Sequence, residues 1–294
     1  MSGRRILVGL IGANIQRSLS PALHEDAFAA AGMRGHYHLM DLDRPHGRRL
    51  EALFAAVKST GFDGINVTFP CKQAIMPLLD ELSADARRIG AVNTVTFSEA
   101  GRAVGHNTDL AGFRQSFDES LGRPAIEGQV AVLVGAGGAG RAVGFALMQL
   151  GAAKVIVHDT DTARATALVA DLMLHHGAAR CRLADDLPGA IAEASGVVNA
   201  TPVGMLGIPG NPVPTKALRA DHWGADVIYT PIETQFIKAA RAKGARVLTG
   251  GGMCVHQAAE AFRLFTGLAP DVLRMHRTFA TALAARDAAM ASVA

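Results

Sequence analysis

Short apolar runs alternate along the chain with stretches whose apolar residues recur every three or four positions, the pattern of buried strands joined by helices. Ile6–Ile11 (ILVGLI) predicts a first strand, and Pro21–Ala31 a helix opened by its proline. Tyr37–Met40 predicts a short strand. Arg48–Lys58 predicts an amphipathic helix with Leu50, Leu53, Phe54 and Val57 on one face, ended by Gly61. Phe62–Val67 reads as the next strand, Gln73–Leu79 as a helical run and Leu82–Ile89 as a short helix. Ala91–Phe97 and Ala103–His106 read as strands around a turn at Glu99–Gly101. This alternation implies a parallel α/β sheet in the first block.

The second half repeats the alternation around one sharp feature. Val130–Val134 reads as a strand buried on both faces and runs straight into Gly135-Ala136-Gly137-Gly138-Ala139-Gly140, after which Ala142, Phe145, Ala146 and Leu150 recur at helical spacing. Lys154–Val157 gives a second strand ending at Asp159. Helices near Ala163–His175, Pro188–Ala194 and Thr234–Lys243 then alternate with strands near Arg180–Leu183, Gly196–Asn199, Ala225–Tyr229 and Ala245–Leu248. That is a doubly wound pattern. Three consecutive glycines, Gly250–Gly252, precede helices expected at Met253–Phe265 and Asp271–Ala285.

With 294 residues there is room for two ordinary domains. The expected division is an N-terminal α/β domain over 1–110, completed by C-terminal helices within 253–294 that fold back on it, and a Rossmann-type domain over 111–252. A net charge of +3 and the lack of any basic run with interleaved aromatics argue against nucleic acid. The three cysteines, Cys71, Cys181 and Cys254, have neither disulfide-framework nor metal-ligand spacing, so no metal is expected and a reducing cytoplasm fits. Ile6–Ile11 follows Arg4 and Arg5 but is too short for a secretory signal. No apolar stretch approaches the roughly 20 residues that span a bilayer. A soluble protein without a membrane partner is expected.

The glycine run has the form G-x-G-x-x-G, in which one glycine makes a tight turn, one lets backbone approach a pyrophosphate and one lets helix and strand pack closely. The following helix aims free N–H groups and its positive dipole end at the phosphates. Asp159, 19 residues beyond Gly140, is placed to accept hydrogen bonds from ribose hydroxyls. Strand, glycine turn, helix, strand and acid together predict a dinucleotide site. In the first block, Ser18, Ser20 and the helix start at Pro21 gather donors suited to a carboxylate, although Ser20 taken alone reads first as a helix cap. Lys72 stands where a strand ends and a helical run begins, opposing the helix dipole, and alone reads as a surface lysine. Asp109 alone reads as a cap.

Several short motifs then agree across nearly the whole chain: Ser18-Leu19-Ser20-Pro21, Gly61–Lys72 (GFDGINVTFPCK), Gly90–Thr94 (GAVNT), Gly105–Asp109 (GHNTD), Gly135–Arg141, Asn199–Met205 (NATPVGM) and Gln257-Ala258-Ala259. In these the sequence resembles the shikimate/quinate dehydrogenase family. The resemblance implies that Lys72 and Asp109 are the catalytic pair and that Ser18 and Ser20 hold the substrate carboxylate. It also implies that Thr68, Asn93, Tyr229 and Gln257 bind the ring hydroxyls or carboxylate, that Gly250 and Met253 lie against the nicotinamide, and that Asn199 and Thr201 are among the cofactor-binding residues. Such chemistry has a use for these residue types. Oxidising a secondary alcohol requires a group on the hydroxyl to take its proton while hydride leaves, and a lysine can do this and hold the charge that develops on oxygen.

NADP-preferring members place Asn-Arg after the second strand of the nucleotide domain, whereas this sequence has Asp159 and Thr160. With Arg164 downstream, it is similar to the NAD-preferring quinate/shikimate branch. Asp221–Thr234 and Ala261–Asp271 resemble that branch too. The implied function is NAD-dependent oxidation of shikimate and quinate to their 3-dehydro ketones and the reverse, by a monomer or homodimer acting on a small cyclic hydroxy acid. An NADP-dependent biosynthetic enzyme is the nearest alternative, and a non-catalytic metabolite sensor on the same scaffold is an alternative of another kind, against which Lys72 and Asp109 stand.

Overall fold

Buried apolar strands and the crossovers between them organise the chain into two compact units, Met1–Thr108 with Gln257–Ala294, and Asp109–His256. The structure is a computed structural model and describes residues 4–44 and 49–291. Arg48, where the sequence pattern starts the second helix, lies outside the described residues, as do the last three residues of the C-terminal segment.

In the first unit, β1 (Arg5–Gly12), α1 (Ser20–Ala30), β2 (Arg34–Asp41), α2 (Leu50–Ser59) and β3 (Gly64–Val67) wind in the expected βαβαβ sense. β1 runs parallel to both β2 and β3. β4 (Glu81–Leu82), α3 (Ala84–Ile89), β5 (Thr94–Phe97) and β6 (Ala103–His106) complete a six-stranded sheet of order β2-β1-β3-β5-β6-β4. The sheet is mixed, not wholly parallel as the alternation implied, because β5 is antiparallel to both β3 and β6. The tight turn at Ser98–Arg102 leaves no room for the crossover that a parallel pair requires.

Gln73–Leu79 is not a helix. Turns occupy 71–75 and a single 3-10 turn covers Met76–Leu78, with Pro77 supplying no N–H to extend it. The strand expected from Ala91 begins only at Thr94, since 91–93 are committed to loop hydrogen bonds with Lys72 and His106. Ile11, Phe54, Ile65, Val67, Ile75 and Val95 form the core on one side of this sheet.

The second unit carries α4 (Asp109–Ser120), then β7 (Val130–Val134), α5 (Gly138–Gln149), β8 (Lys154–His158), α6 (Thr162–His176) and β9 (Cys181–Leu183). It continues through α7 (Leu187–Glu193), β10 (Gly196–Asn199), β11 (Trp223–Asp226), α8 (Gln235–Ala242) and β12 (Arg246–Leu248). All strand pairs are parallel, in the order β12-β11-β10-β7-β8-β9. The reversal of strand order between β7 and β10 creates the switch point at which such sheets bind ligands, beyond the strands' C-terminal ends. β11 stops at Asp226 instead of running to Tyr229, because the Asp226 carboxylate turns back to accept the Ile228 N–H at 3.0 Å.

α9 (Gly250–Thr266) includes the three glycines as its first turn, where the sequence pattern placed them before the helix. Its residues from Gln257 onward, with α10 (Val272–Ala291), belong to the first unit. There Arg274 donates two hydrogen bonds, at 2.8 and 2.7 Å, and Thr278 one at 2.8 Å to Asp26 of α1. These bonds from Arg274 and Thr278 hold the Asp26 carboxyl below its ordinary range. The same bonds tie α10 to α1 within the first unit.

Candidate functional site

The parallel course of β1, β3 and β6, with β5 opposed to them, puts four loops of the first unit at one edge of its sheet. These are the loop after β1 with Ser18 and Ser20, the turn after β3 with Thr68 and Lys72, Asn93 just before β5, and Asn107–Thr108 after β6. Main-chain bonds join them. Ala13 donates to the Phe69 carbonyl at 2.9 Å, Thr68 to that of Ile11 at 2.9 Å, Val92 to that of Lys72 at 2.8 Å, and Asn93 to that of His106 at 3.0 Å.

Ser20 is not the cap of α1. Leu19 holds that position without a side-chain bond. The hydroxyl of Ser18 instead accepts the Ser20 N–H at 3.2 Å and lies 3.1 Å from the Ser20 hydroxyl, so both serines present oxygens at one spot. Asn93 is buried and tied to the residue before Asp109: its Nδ2 donates to the Thr108 hydroxyl at 2.8 Å and its Oδ1 accepts the Thr108 N–H at 2.7 Å. Behind it stands a polar relay that the sequence did not disclose. The Tyr37 hydroxyl donates to Asn66 Oδ1 at 2.9 Å, and Asn66 Nδ2 donates to the Thr94 hydroxyl at 3.0 Å and to the Asn93 carbonyl at 3.3 Å. The buried His24 ring stacks on Tyr37 at 4.9 Å, and burial lowers its pKa to about 3. Lys72 and Gln257 are half-buried.

In the second unit the three glycines of the turn have three separate reasons. Gly135 has φ +105°, beyond the reach of most side chains. A Cβ on Gly140 would lie 1.9 Å from the Gly135 carbonyl oxygen. A Cβ on Gly137 would meet nothing within 4 Å, so this residue faces open space, ahead of the free N–H groups that open the 12-residue α5. Asp159 closes the cradle, its Oδ2 accepting the Ala136 N–H at 2.7 Å and its Oδ1 the Asp161 N–H at 2.9 Å. A fixed carboxylate beside a glycine-lined helix N-terminus suits a dinucleotide that offers ribose hydroxyls. Thr160 is exposed, and Arg164 pairs with Asp161 at 3.0 Å on the surface.

Asn199 is fully buried, and its side chain acts on the protein itself. Its Oδ1 accepts the Thr201 N–H at 3.0 Å and the Thr201 hydroxyl at 2.7 Å, while its Nδ2 lies 3.2 Å from the Val203 carbonyl and from both oxygens of Asp226. Asn199 and Thr201 thus shape the loop at the switch point, and their side chains are occupied in doing so. Asp226 is the hub: Ile228, Thr234 and Asn199 all donate to it. Burial pushes its carboxyl up to about 6, with those three bonds opposing the rise. The sequence offered one signal for it, a lone acid ending an apolar strand. Tyr229 follows in the half-buried loop after β11, and Gly250 comes so close to that loop that a Cβ would lie 2.5 Å from the Ile228 carbonyl oxygen. Met253 is buried one turn further along α9, and Asp109 is the buried first residue of α4.

Comparison with known proteins decides the family. The shikimate dehydrogenase substrate-binding domain model matches residues 10–95, and the model of the shikimate 5'-dehydrogenase C-terminal domain matches 250–278. The quinate/shikimate dehydrogenase (NAD(+)) of Corynebacterium efficiens is 48% identical over 283 residues, covering 95% of this chain and 99% of the relative. The chain belongs to the shikimate/quinate dehydrogenase family. The shikimate dehydrogenase (NADP(+)) of Streptomyces avermitilis is 49% identical over 92% of this chain and 93% of its own. Among solved structures, quinate dehydrogenase from Corynebacterium glutamicum in complex with NAD superposes with a TM-score of 0.85 at 45% identity, over 95% of this chain and all of that one. Among the described residues of this family member, no helix is long and apolar enough to cross a membrane.

Proposed function

We propose that this chain is an NAD-dependent dehydrogenase of shikimate and quinate, interconverting a ring hydroxyl and the corresponding ketone in the cytoplasm. The observation that carries the reading is the gathering of Ser18, Ser20, Thr68, Lys72 and Asn93 at one edge of the first sheet, on loops hydrogen-bonded to one another. Donor hydroxyls, an amide and an amine there suit an anionic polyol. The relatives named for NAD and the fixed carboxylate of Asp159 support the cofactor preference.

In the oxidative direction Ser18 and Ser20 hold the substrate carboxylate through their hydroxyls, and Thr68, Asn93, Tyr229 and Gln257 bind the remaining oxygens. Lys72 Nζ takes the proton of the reacting hydroxyl and stabilises the charge that builds on that oxygen. Asp109, which follows Thr108 directly in the chain, accepts a hydrogen bond from the substrate and fixes its orientation. Gly135–Gly140 and Asp159 would hold the dinucleotide, with Gly250 and Met253 toward its nicotinamide. When bound, the nicotinamide supplies a hydride acceptor. Steady-state rates on shikimate and quinate with NAD and with NADP test this reading, and no turnover on either acid would remove it.

A further inference from the structure

Asp41 ends β2 beneath the loop that carries the serine pair and is only 3% exposed. Its Oδ1 accepts the backbone N–H groups of Asn14 and Asp43, each at 3.1 Å. Its Oδ2 accepts the N–H of Ile15 at 3.3 Å and Nε2 of Gln16 at 2.9 Å. All four partners are donors, so only an ionised carboxylate satisfies them together. Burial raises the Asp41 carboxyl, but the bonds from Gln16, Asp43, Ile15 and Asn14 outweigh it and hold the group below its ordinary range.

The clamp sits where the loop reverses direction. Asn14, with φ +55°, is the one non-glycine residue at positive φ among the described residues. From there the path to the serines is short: Asp41 holds the Ile15 N–H, the Ile15 carbonyl accepts the Ser18 N–H at 2.9 Å, and the Ser18 hydroxyl accepts the Ser20 N–H. Gln16, whose side chain bonds the clamp from the exposed side, also accepts from Arg44 at 2.6 Å.

We propose that Asp41 is a positioning residue for recognition of the substrate carboxylate, holding Asn14–Gln16 so that the Ser18 and Ser20 hydroxyls converge. The proposal rests on the reading that these serines bind that carboxylate. Asp41 touches no substrate and acts through the loop. Nothing in its role requires the reacting hydroxyl or the nucleotide, so its removal should appear in substrate binding alone.

Asp41→Asn tests this, since it keeps the shape but turns an NH2 toward two of the four donors. KM for shikimate or quinate should rise by about 10- to 50-fold, with kcat changed by less than about threefold and Kd for NAD unaltered. For an analogue whose acid is reduced to a hydroxymethyl group, kcat/KM should stay within about twofold of wild type. Gln16→Ala, at an exposed side chain and therefore safe for folding, should raise KM for the acid by about two- to fivefold. Equal losses on acid and analogue would make Asp41 a general structural staple and overturn the proposal, as would unchanged KM in Gln16→Ala should Asp41→Asn not fold. Ser18→Ala and Ser20→Ala separate the two claims. If they leave KM unchanged, the carboxylate reading fails; if they raise it while Asp41→Asn does not, the positioning role fails.

Discussion

Replacing Asp159 by asparagine should narrow the preference for NAD over NADP. The carboxylate is pinned to the glycine turn by the Ala136 N–H at 2.7 Å and to the start of α6 by the Asp161 N–H at 2.9 Å, so it cannot swing away from an extra phosphate on the ribose. At about 4 Å and an effective dielectric near 20, each unit of phosphate charge is opposed by about 4 kcal/mol. Ionic screening and relaxation leave a remainder of about 1.4 to 4 kcal/mol, which is about tenfold to a thousandfold in kcat/KM. Asp159→Asn removes the charge while its one oxygen still accepts one of the two backbone donors. NAD should therefore lose about three- to tenfold for its ribose contact, and the NAD/NADP ratio should shrink by about 10- to 100-fold. The assay is kcat/KM for each cofactor at saturating substrate, at low and high salt, with the wild-type gap closing as salt rises. Equal values for the two cofactors in the wild type, or an undiminished gap in the variant, would refute the reasoning.

Gly140→Ala drives a methyl into the Gly135 carbonyl and should abolish NAD binding with loss of stability, whereas Gly137→Ala, with open space around it, should fold normally and still bind NAD at least about tenfold more weakly; calorimetric titration and thermal melts read both. The raised pKa of Asp226, from about 3.8 to about 6, means that the stability of its neutral form is complete below about pH 4 and is lost as pH rises through about 6, a change of about 3 kcal/mol. Asp226→Asn cannot ionise, so urea denaturation should show the variant gaining about that much on the wild type between pH 4 and 7, and a constant difference would count against a buried, strained carboxylate. Lys72→Ala and Asp109→Ala should each lower kcat by about 10² to 10⁴ while Kd for NAD persists, and near-normal turnover in both would dismiss the pair.

Local features carried most of what the sequence disclosed. The glycine turn, Asp159 and the doubly wound second sheet are written in short-range patterns, because a tight turn, a helix start and a buried parallel strand each constrain adjacent residues. The misreadings also have local causes: Ile75, Met76, Leu78 and Leu79 have helical spacing, but Pro77 and the packing of Ile75 into the first core favour a turn. What stayed hidden was polar and long-range. Asp41 meets Asn14, Asn66 meets Asn93 and Asn199 meets Asp226, each pair 27 residues apart and joined only by the folded sheets. Asn199 was legible as a motif residue, but its inward orientation toward Asp226 was not.

Turnover on the two ring acids tests the central claim most directly. Shikimate and quinate share the reacting hydroxyl and the carboxylate but differ at C1, and in the proposed reading Ser20, which lacks the methyl that threonine would add, meets that carboxylate. A contact of this size is worth only about 1–3 kcal/mol, so Ser20 biases the choice without excluding quinate. With saturating NAD, both acids should be oxidised, with kcat/KM for shikimate at least equal to that for quinate. Strong preference for quinate would show that Ser20 does not set the choice. Absence of turnover on both, in protein that still binds NAD, would contradict the account.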